Sequence, residues 1–138
     1  MICNTSGLIT GLVAGQRVHE ECLAAINAAD SLVLSPLSLC EIDYLVARRH
    51  GDRASRQVLQ RLAEPEYELA PFDRDDMASA LDVMKTYEDL NVGLTDASLV
   101  VLAKRYKTNE ILTLDQRHFR AMRGLDGHHF KLLPYDAD

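Results

Sequence analysis

Short apolar runs separated by stretches of helical period constrain this chain more than any other feature. Met1–Thr5, Ser31–Ser35, Tyr67–Ala70, Ile111–Leu114 and Phe130–Leu133 read as strands, the third weaker than the others. Between the first of them, Ser6 is placed to cap a helix through Ala14, and an amphipathic segment runs from His19 to Ala29. Pro36 opens a helix over Leu37–His50, Gly51 stops it, and Asp52–Ala63 forms the next. Asp73 is expected to cap a long acidic helix to Leu90, broken by Asn91-Val92-Gly93. Thr95 is expected to cap Asp96–Tyr106, and Gln116–Arg123 to form a short last helix. Strands that alternate with helices pair in parallel, because each crossover lays a helix over a sheet face. The expected class is α/β: one three-layer α/β/α domain over residues 1–138, with a central parallel sheet.

The apolar fraction of 47% is ordinary for a globular chain. No apolar run reaches the roughly 18 residues of a membrane span, and Met1–Thr5 lacks a basic leader, so no membrane partner and a cytoplasmic location are expected. Cys3, Cys22 and Cys40 are odd in number and widely spaced, which excludes a paired disulfide framework and predicts buried thiols. Net charge is −6, against the usual demand of a nucleic-acid partner for Lys and Arg. The charge is segregated, however. Acids crowd Glu64–Asp96, where only Arg74 and Lys85 oppose them, while bases outnumber acids from Val101 onward.

Ligands of open α/β sheets collect at the carboxyl ends of strands. That rule nominates Asn4-Thr5-Ser6, Asp96 and Asp115. Each has an ordinary alternative: a turn, a first-turn acid favoured by the helix dipole, and a helix cap. Glu41 lies four residues from both Leu37 and Leu45 and so interrupts an apolar row, whereas Asp43 points elsewhere. Carboxylates gathered in one place repel unless a cation neutralises them, and Mg2+ or Mn2+ is the natural hard cation for oxygen donors. Such a centre can activate water for phosphodiester hydrolysis. His118, His128 and His129 match no zinc spacing and are expected at the surface.

Taken in order, these segments resemble the PIN-domain ribonucleases, in particular the VapC toxins of type II toxin–antitoxin pairs. The resemblance rests on Ile2-Cys3-Asn4-Thr5-Ser6, on Ser35–Ile42 with its Glu41, on Asp96-Ala97 opening an apolar helix, and on Thr113-Leu114-Asp115 followed by Phe119. It implies a PIN-like fold, an endoribonuclease acting on structured RNA, a small antitoxin that wraps the toxin, and a homodimer. It further implies that Asp96 and Asn4 hold Mg2+ (or Mn2+), that Glu41 and Asp115 complete the acidic centre, and that Thr5 and Thr113 orient the metal's waters. Arg117 and Arg120, with Arg123, Lys104 and Arg105, are expected to frame the cleft for RNA. Leu8, Leu12 and Leu45 are candidates either for an antitoxin groove or for ordinary core.

Asn4 departs from the resemblance, which expects Asp there. An amide oxygen can ligate but brings no charge, so weak metal occupancy and little cleavage are expected. Replacement of a parental Asp to make a toxic nuclease expressible is the preferred explanation, and a naturally inactive paralogue is its rival. Two other classes share acids at strand ends: a receiver-like regulatory domain, which also needs a Lys after a later strand, and a non-catalytic interaction module.

Overall fold

The computed structural model describes residues 1–138. Strands β1 (Ile2–Cys3), β2 (Leu32–Leu34), β3 (Tyr67–Leu69), β4 (Glu110–Leu112) and β5 (Lys131–Leu133) form one parallel sheet in the order β3-β2-β1-β4-β5. β1 is central, with Ile2 paired to Val33 on one side and Ile111 on the other, and Cys3 to Leu34 and Leu112. Helices α1 (Thr5–Leu12), α2 (His19–Ala28), α3 (Pro36–His50) and α4 (Asp52–Leu62) precede β3. Helices α5 (Arg74–Thr86), α6 (Leu94–Arg105) and α7 (Gln116–Ala121) follow it.

Side chains alternate across a strand, so each strand feeds both faces. Ile2, Val33, Ile111 and Leu132 join α5, α6 and Phe119 in one buried cluster. Cys3, Leu32, Leu34 and Leu112 join α1–α4 in the other. The three-layer α/β/α arrangement expected from the alternation is the one observed.

Several helix starts differ from expectation. α1 begins at Thr5, with Asn4 rather than Ser6 as its cap: Asn4 Oδ1 accepts from the Thr5 N–H at 2.8 Å. α6 begins at Leu94, with Gly93 as an uncapped N-cap, and Thr95 lies inside the helix. The acidic helix ends at Thr86, after which Glu88–Leu90 winds into a 3-10 turn, and α7 ends at Ala121. Asp73 does cap α5, in a reciprocal capping box with Asp76.

Cys3 and Cys22 are buried, and burial pushes their thiols up to about 12 and about 11. Cys40 is exposed on α3, contrary to expectation. Leu8 is fully buried and so belongs to the core, not to a groove. Leu12 borders a cleft of about 520 Å3 between α1 and α4 with a mixed lining, Val13, Ala54 and Val58 alongside Gln57, Gln60 and Arg61. No helix is long and apolar enough to cross a membrane.

Gly7 lets α1 lie directly on β4. A Cβ at that position would stand 2.6 Å from Leu112 Cγ and 2.8 Å from its carbonyl oxygen, a clash with backbone that cannot swing away. Gly7→Ala is therefore expected to lose about 1–3 kcal/mol of stability in a urea melt, as overpacked cores do. An unchanged midpoint would show that the two elements separate freely.

Candidate metal centre

The chain runs outward from β1 to β2 and β3, then returns past β1 to lay down β4. The helices after β1 and β4 consequently leave on opposite faces, and a crevice opens at the carboxyl ends of these two strands. Asn4 follows β1 directly, and Thr113, Leu114 and Asp115 follow β4. The Asn4 N–H donates to the Leu112 carbonyl at 2.9 Å, which extends the ladder to the rim of the crevice.

Asn4, Thr5, Glu41, Asp96 and Asp115 all line this one cleft, whose volume is about 500 Å3. Asn4 is buried, and its Nδ2 donates to Thr113 Oγ1 at 2.9 Å. Thr113, itself fully buried, also accepts from the Asp115 N–H at 3.0 Å. Thr5 Oγ1 donates to Glu41 Oε1 at 2.7 Å and so fixes an otherwise exposed side chain of α3. The two threonine hydroxyls thus hold Asn4 and Glu41 themselves. Asp43, as expected, turns away and accepts from Ser55 Oγ at 2.6 Å.

Asp96 enters from the first turn of α6, and Asp115 caps α7 by accepting from the His118 N–H at 3.1 Å. The Asp96 carboxyl is pushed above the usual carboxylate range, first by its burial and then by the charge of Asp115, with His118 acting in the opposite sense. His118 is the residue that sequence reasoning misplaced. Instead of standing at the surface it lies half-buried in the centre, with Nδ1 3.0 Å from Asp115 Oδ2 and 3.3 Å from Asp96 Oδ2. Its spacing of three from Asp115 on a helix was the available signal, since such residues share a face. Carboxylate oxygens of Asp96 and Asp115 and the His118 Nδ1 lie within 4.8 Å of one another, a separation one cation can bridge, so the donor set fits a divalent ion. His128 and His129 are exposed, as expected.

The expected basic frame is largely absent from the cleft. Arg105 is held at the far end of α6 by Asp76 and the Pro71 carbonyl. Lys104 borders a separate cavity of about 290 Å3 with Lys107 and Asn109, at the opposite end of the sheet. Arg123 folds back onto the carbonyls of Arg120, Ala121 and Met122, and Arg120 is gripped by both oxygens of Asp136 at 2.8 Å. Arg117 is exposed with no acid beside it, and Arg49, which sequence reasoning passed over, lines the cleft with Tyr44 and Leu45. No lysine lines it, so the pairing a receiver-like domain needs is missing.

An acid whose folded value is raised gains stability from protonation, and ionising it costs stability as pH rises through that raised value. Asp96→Asn removes the cost. Without metal, the variant is expected to melt a few degrees above the parent at pH 7, with the gain shrinking as pH falls into the carboxylate range. Equal melting at pH 7 would mean that ionised Asp96 carries no net cost in the folded chain.

The PIN-domain family profile matches residues 1–125. The chain is 42% identical over 137 residues to Ribonuclease VapC26 of Mycobacterium tuberculosis, covering 97% of this chain and 100% of that protein. Among solved structures it resembles VapC20 of the same organism, a sarcin–ricin-loop-cleaving toxin, with a TM-score of 0.77 at 16% identity over 84% of this chain and 90% of that one. It also resembles VapBC2 from Rickettsia felis bound to a fragment of its promoter DNA, with a TM-score of 0.69 at 13% identity over 95% and 96% of the two chains. A family match over most of the length, with the acids gathered at the sheet's switch point, places this chain in the PIN-domain family, among its VapC-type members.

Proposed function

We propose that this chain is the toxin of a type II toxin–antitoxin pair, an endoribonuclease that uses Mg2+ or Mn2+ to cut structured RNA of the transfer or ribosomal kind. The observation that carries this reading is the convergence of Glu41, Asp96 and Asp115 with Asn4 in one cleft at the carboxyl ends of β1 and β4. Its relative at 42% identity is a ribonuclease, which supports RNA as substrate. A VapBC pair among the fold's structural matches supports a small antitoxin as partner. A homodimer and a cytoplasmic location belong to the same proposal.

Asp96, Asp115 and the Asn4 amide oxygen would hold the cation, with Glu41 reaching it through water. Bound there, such an ion supplies an activated water and stabilises charge developing on a phosphate. The remaining work falls to the protein. Thr5 and Thr113 fix Glu41 and Asn4 through hydroxyl contacts, so neither donor has to be ordered when substrate arrives. Arg49 on the rim offers a charge for phosphate, and the exposed ring of Tyr44, with the Arg48 guanidinium 6.0 Å from its centre, offers a face for an unpaired base. Arg117, free of any acid, is the second phosphate contact, while Arg120 serves mainly to anchor the C-terminal segment through Asp136.

Asn4 sets the level of activity. It leaves the centre one charge short, so the chain as it stands cleaves weakly. Asn4→Asp is expected to raise metal-dependent RNA cleavage by about tenfold or more, the scale on which metal-site residues act. The same variant buries a carboxylate with no positive charge to balance it, so it should melt lower than the parent without metal and gain more from Mn2+. If both forms are inert toward RNA and neither melt moves with Mn2+, the chain is an interaction module instead.

Arg49→Glu and Arg117→Glu are each expected to weaken RNA binding across sequences and to reduce the salt slope by about 1 per phosphate contact removed. Unchanged binding in both variants would place the RNA on another face.

A further inference from the structure

We infer that the Nδ1 nitrogen of His118 is a direct ligand of the cation held by Asp96 and Asp115, which makes the centre a mixed nitrogen–oxygen site that prefers Mn2+ to Mg2+. This inference rests on the metal-dependent reading above and assigns the site a donor of different chemistry.

The ring's orientation decides which nitrogen is available. His118 Nε2 lies 2.9 Å from the Leu90 carbonyl oxygen. A carbonyl can only accept, so Nε2 donates its hydrogen there, which leaves Nδ1 as the ring nitrogen that an ion can reach. Metal-bound histidines are fixed in the same way, one ring N–H given to a backbone carbonyl while the other nitrogen faces the ion. Leu90 ends the 3-10 turn that leads into α6, so this contact ties the ring to the helix that carries Asp96.

Nδ1 is turned toward the two acids, where a cation would take the place of a hydrogen shared with them. Nδ1 stands 3.0 Å from Asp115 Oδ2 and 3.3 Å from Asp96 Oδ2. Adjacent ligands of one cation at about 2.1 Å are separated by roughly 3.0–3.4 Å for angles between octahedral and tetrahedral values. Both observed separations fall in that interval. Asp115 spends its Oδ1 on the His118 N–H, so Oδ2 is the oxygen left for an ion.

Asn4 explains why a nitrogen would count. Its Nδ2 is committed to Thr113 and its Oδ1 already accepts from Thr5 N–H, so it is a neutral and partly occupied donor. An imidazole adds no charge but binds borderline cations better than Mg2+, which holds its waters and prefers oxygen.

The test uses the intact chain and its Asn4→Asp variant, titrated calorimetrically with MnCl2 and with MgCl2 in the absence of RNA, and pulsed EPR of the Mn2+ forms. The expected result is a directly bound nitrogen in the EPR spectrum. His118→Gln keeps a donor for the Leu90 carbonyl but has no ring nitrogen. It should lose that coupling and weaken Mn2+ binding by about 10- to 100-fold, with Mg2+ affinity much less affected. His118→Ala should do the same, and a parallel loss for both ions in both variants would indicate a packing role and overturn the assignment. Mn2+ binding that depends on Asp96 but shows no nitrogen coupling would also overturn it while leaving the nuclease reading intact. Absence of Mn2+ binding in the parent and in Asn4→Asp alike would overturn both.

Discussion

The pairing of β1 with β4 is the contact on which the candidate centre depends, because it joins segments more than a hundred residues apart at a single point. Ile2 opposite Ile111 and Cys3 opposite Leu112 set the register, and the Asn4 N–H continues it onto the Leu112 carbonyl. Once that register is set, Asn4 and Thr113 must lie side by side, and their 2.9 Å contact follows. A slip of one residue would send every side chain of β1 to the other face and carry Asn4 out of the cleft. The absence of a side chain at Gly7 allows α1 to approach β4 closely enough for Ser6 Oγ to accept from the Leu114 N–H at 3.0 Å. Packing and site geometry are therefore one constraint here.

Against that rigid frame the acids are an electrostatic cost. Asp96 and Asp115 face each other across a half-buried gap, and the burial that lifts Asp96 also shields its charge least from Asp115. Local sequence offsets some of this. Asp96 sits in the first turn of α6, where the helix dipole favours an acid, and Asp115 is stabilised as the cap of α7. Each acid is thus tolerable for a structural reason, and the strain lies in their proximity. A group that relieves proximity, whether a cation or the imidazole between them, completes the centre.

The fold was legible because its signal is periodic and local. Five apolar runs alternating with amphipathic stretches leave few arrangements other than a covered parallel sheet. Helix starts were less legible, since Asn4 and Ser6, or Gly93 and Thr95, are competing caps separated by two residues, and tertiary contacts choose between them. Ser6 lost as a cap because its hydroxyl is used across to Leu114. In the centre, Glu41, Asp96 and Asp115 could be read from ordered motifs. His118 left only its spacing of three from Asp115 as a signal, because its other partners Asp96 and Leu90 lie 22 and 28 residues away and meet it only when α7 packs against the start of α6. The arginines were hardest: where a long exposed side chain goes depends on which acid happens to be near, as Asp136 is to Arg120 and Asp76 to Arg105.

Asn4 reconciles the frame with the charge. A carboxylate at this position could still accept from the Thr5 N–H, but it could not donate to Thr113. The Thr113 hydroxyl would have to turn its proton toward position 4, and Ser6 would then have to be the donor in its 3.3 Å contact with Thr113. With the amide in place, both polar side-chain atoms of Asn4 have a partner and this buried position adds no charge to the cleft. The amide is therefore the choice that favours the fold, and the carboxylate the choice that favours cation binding. Position 4 is where the two demands on this chain separate, because it is the one donor buried by the same strand pairing that builds the sheet.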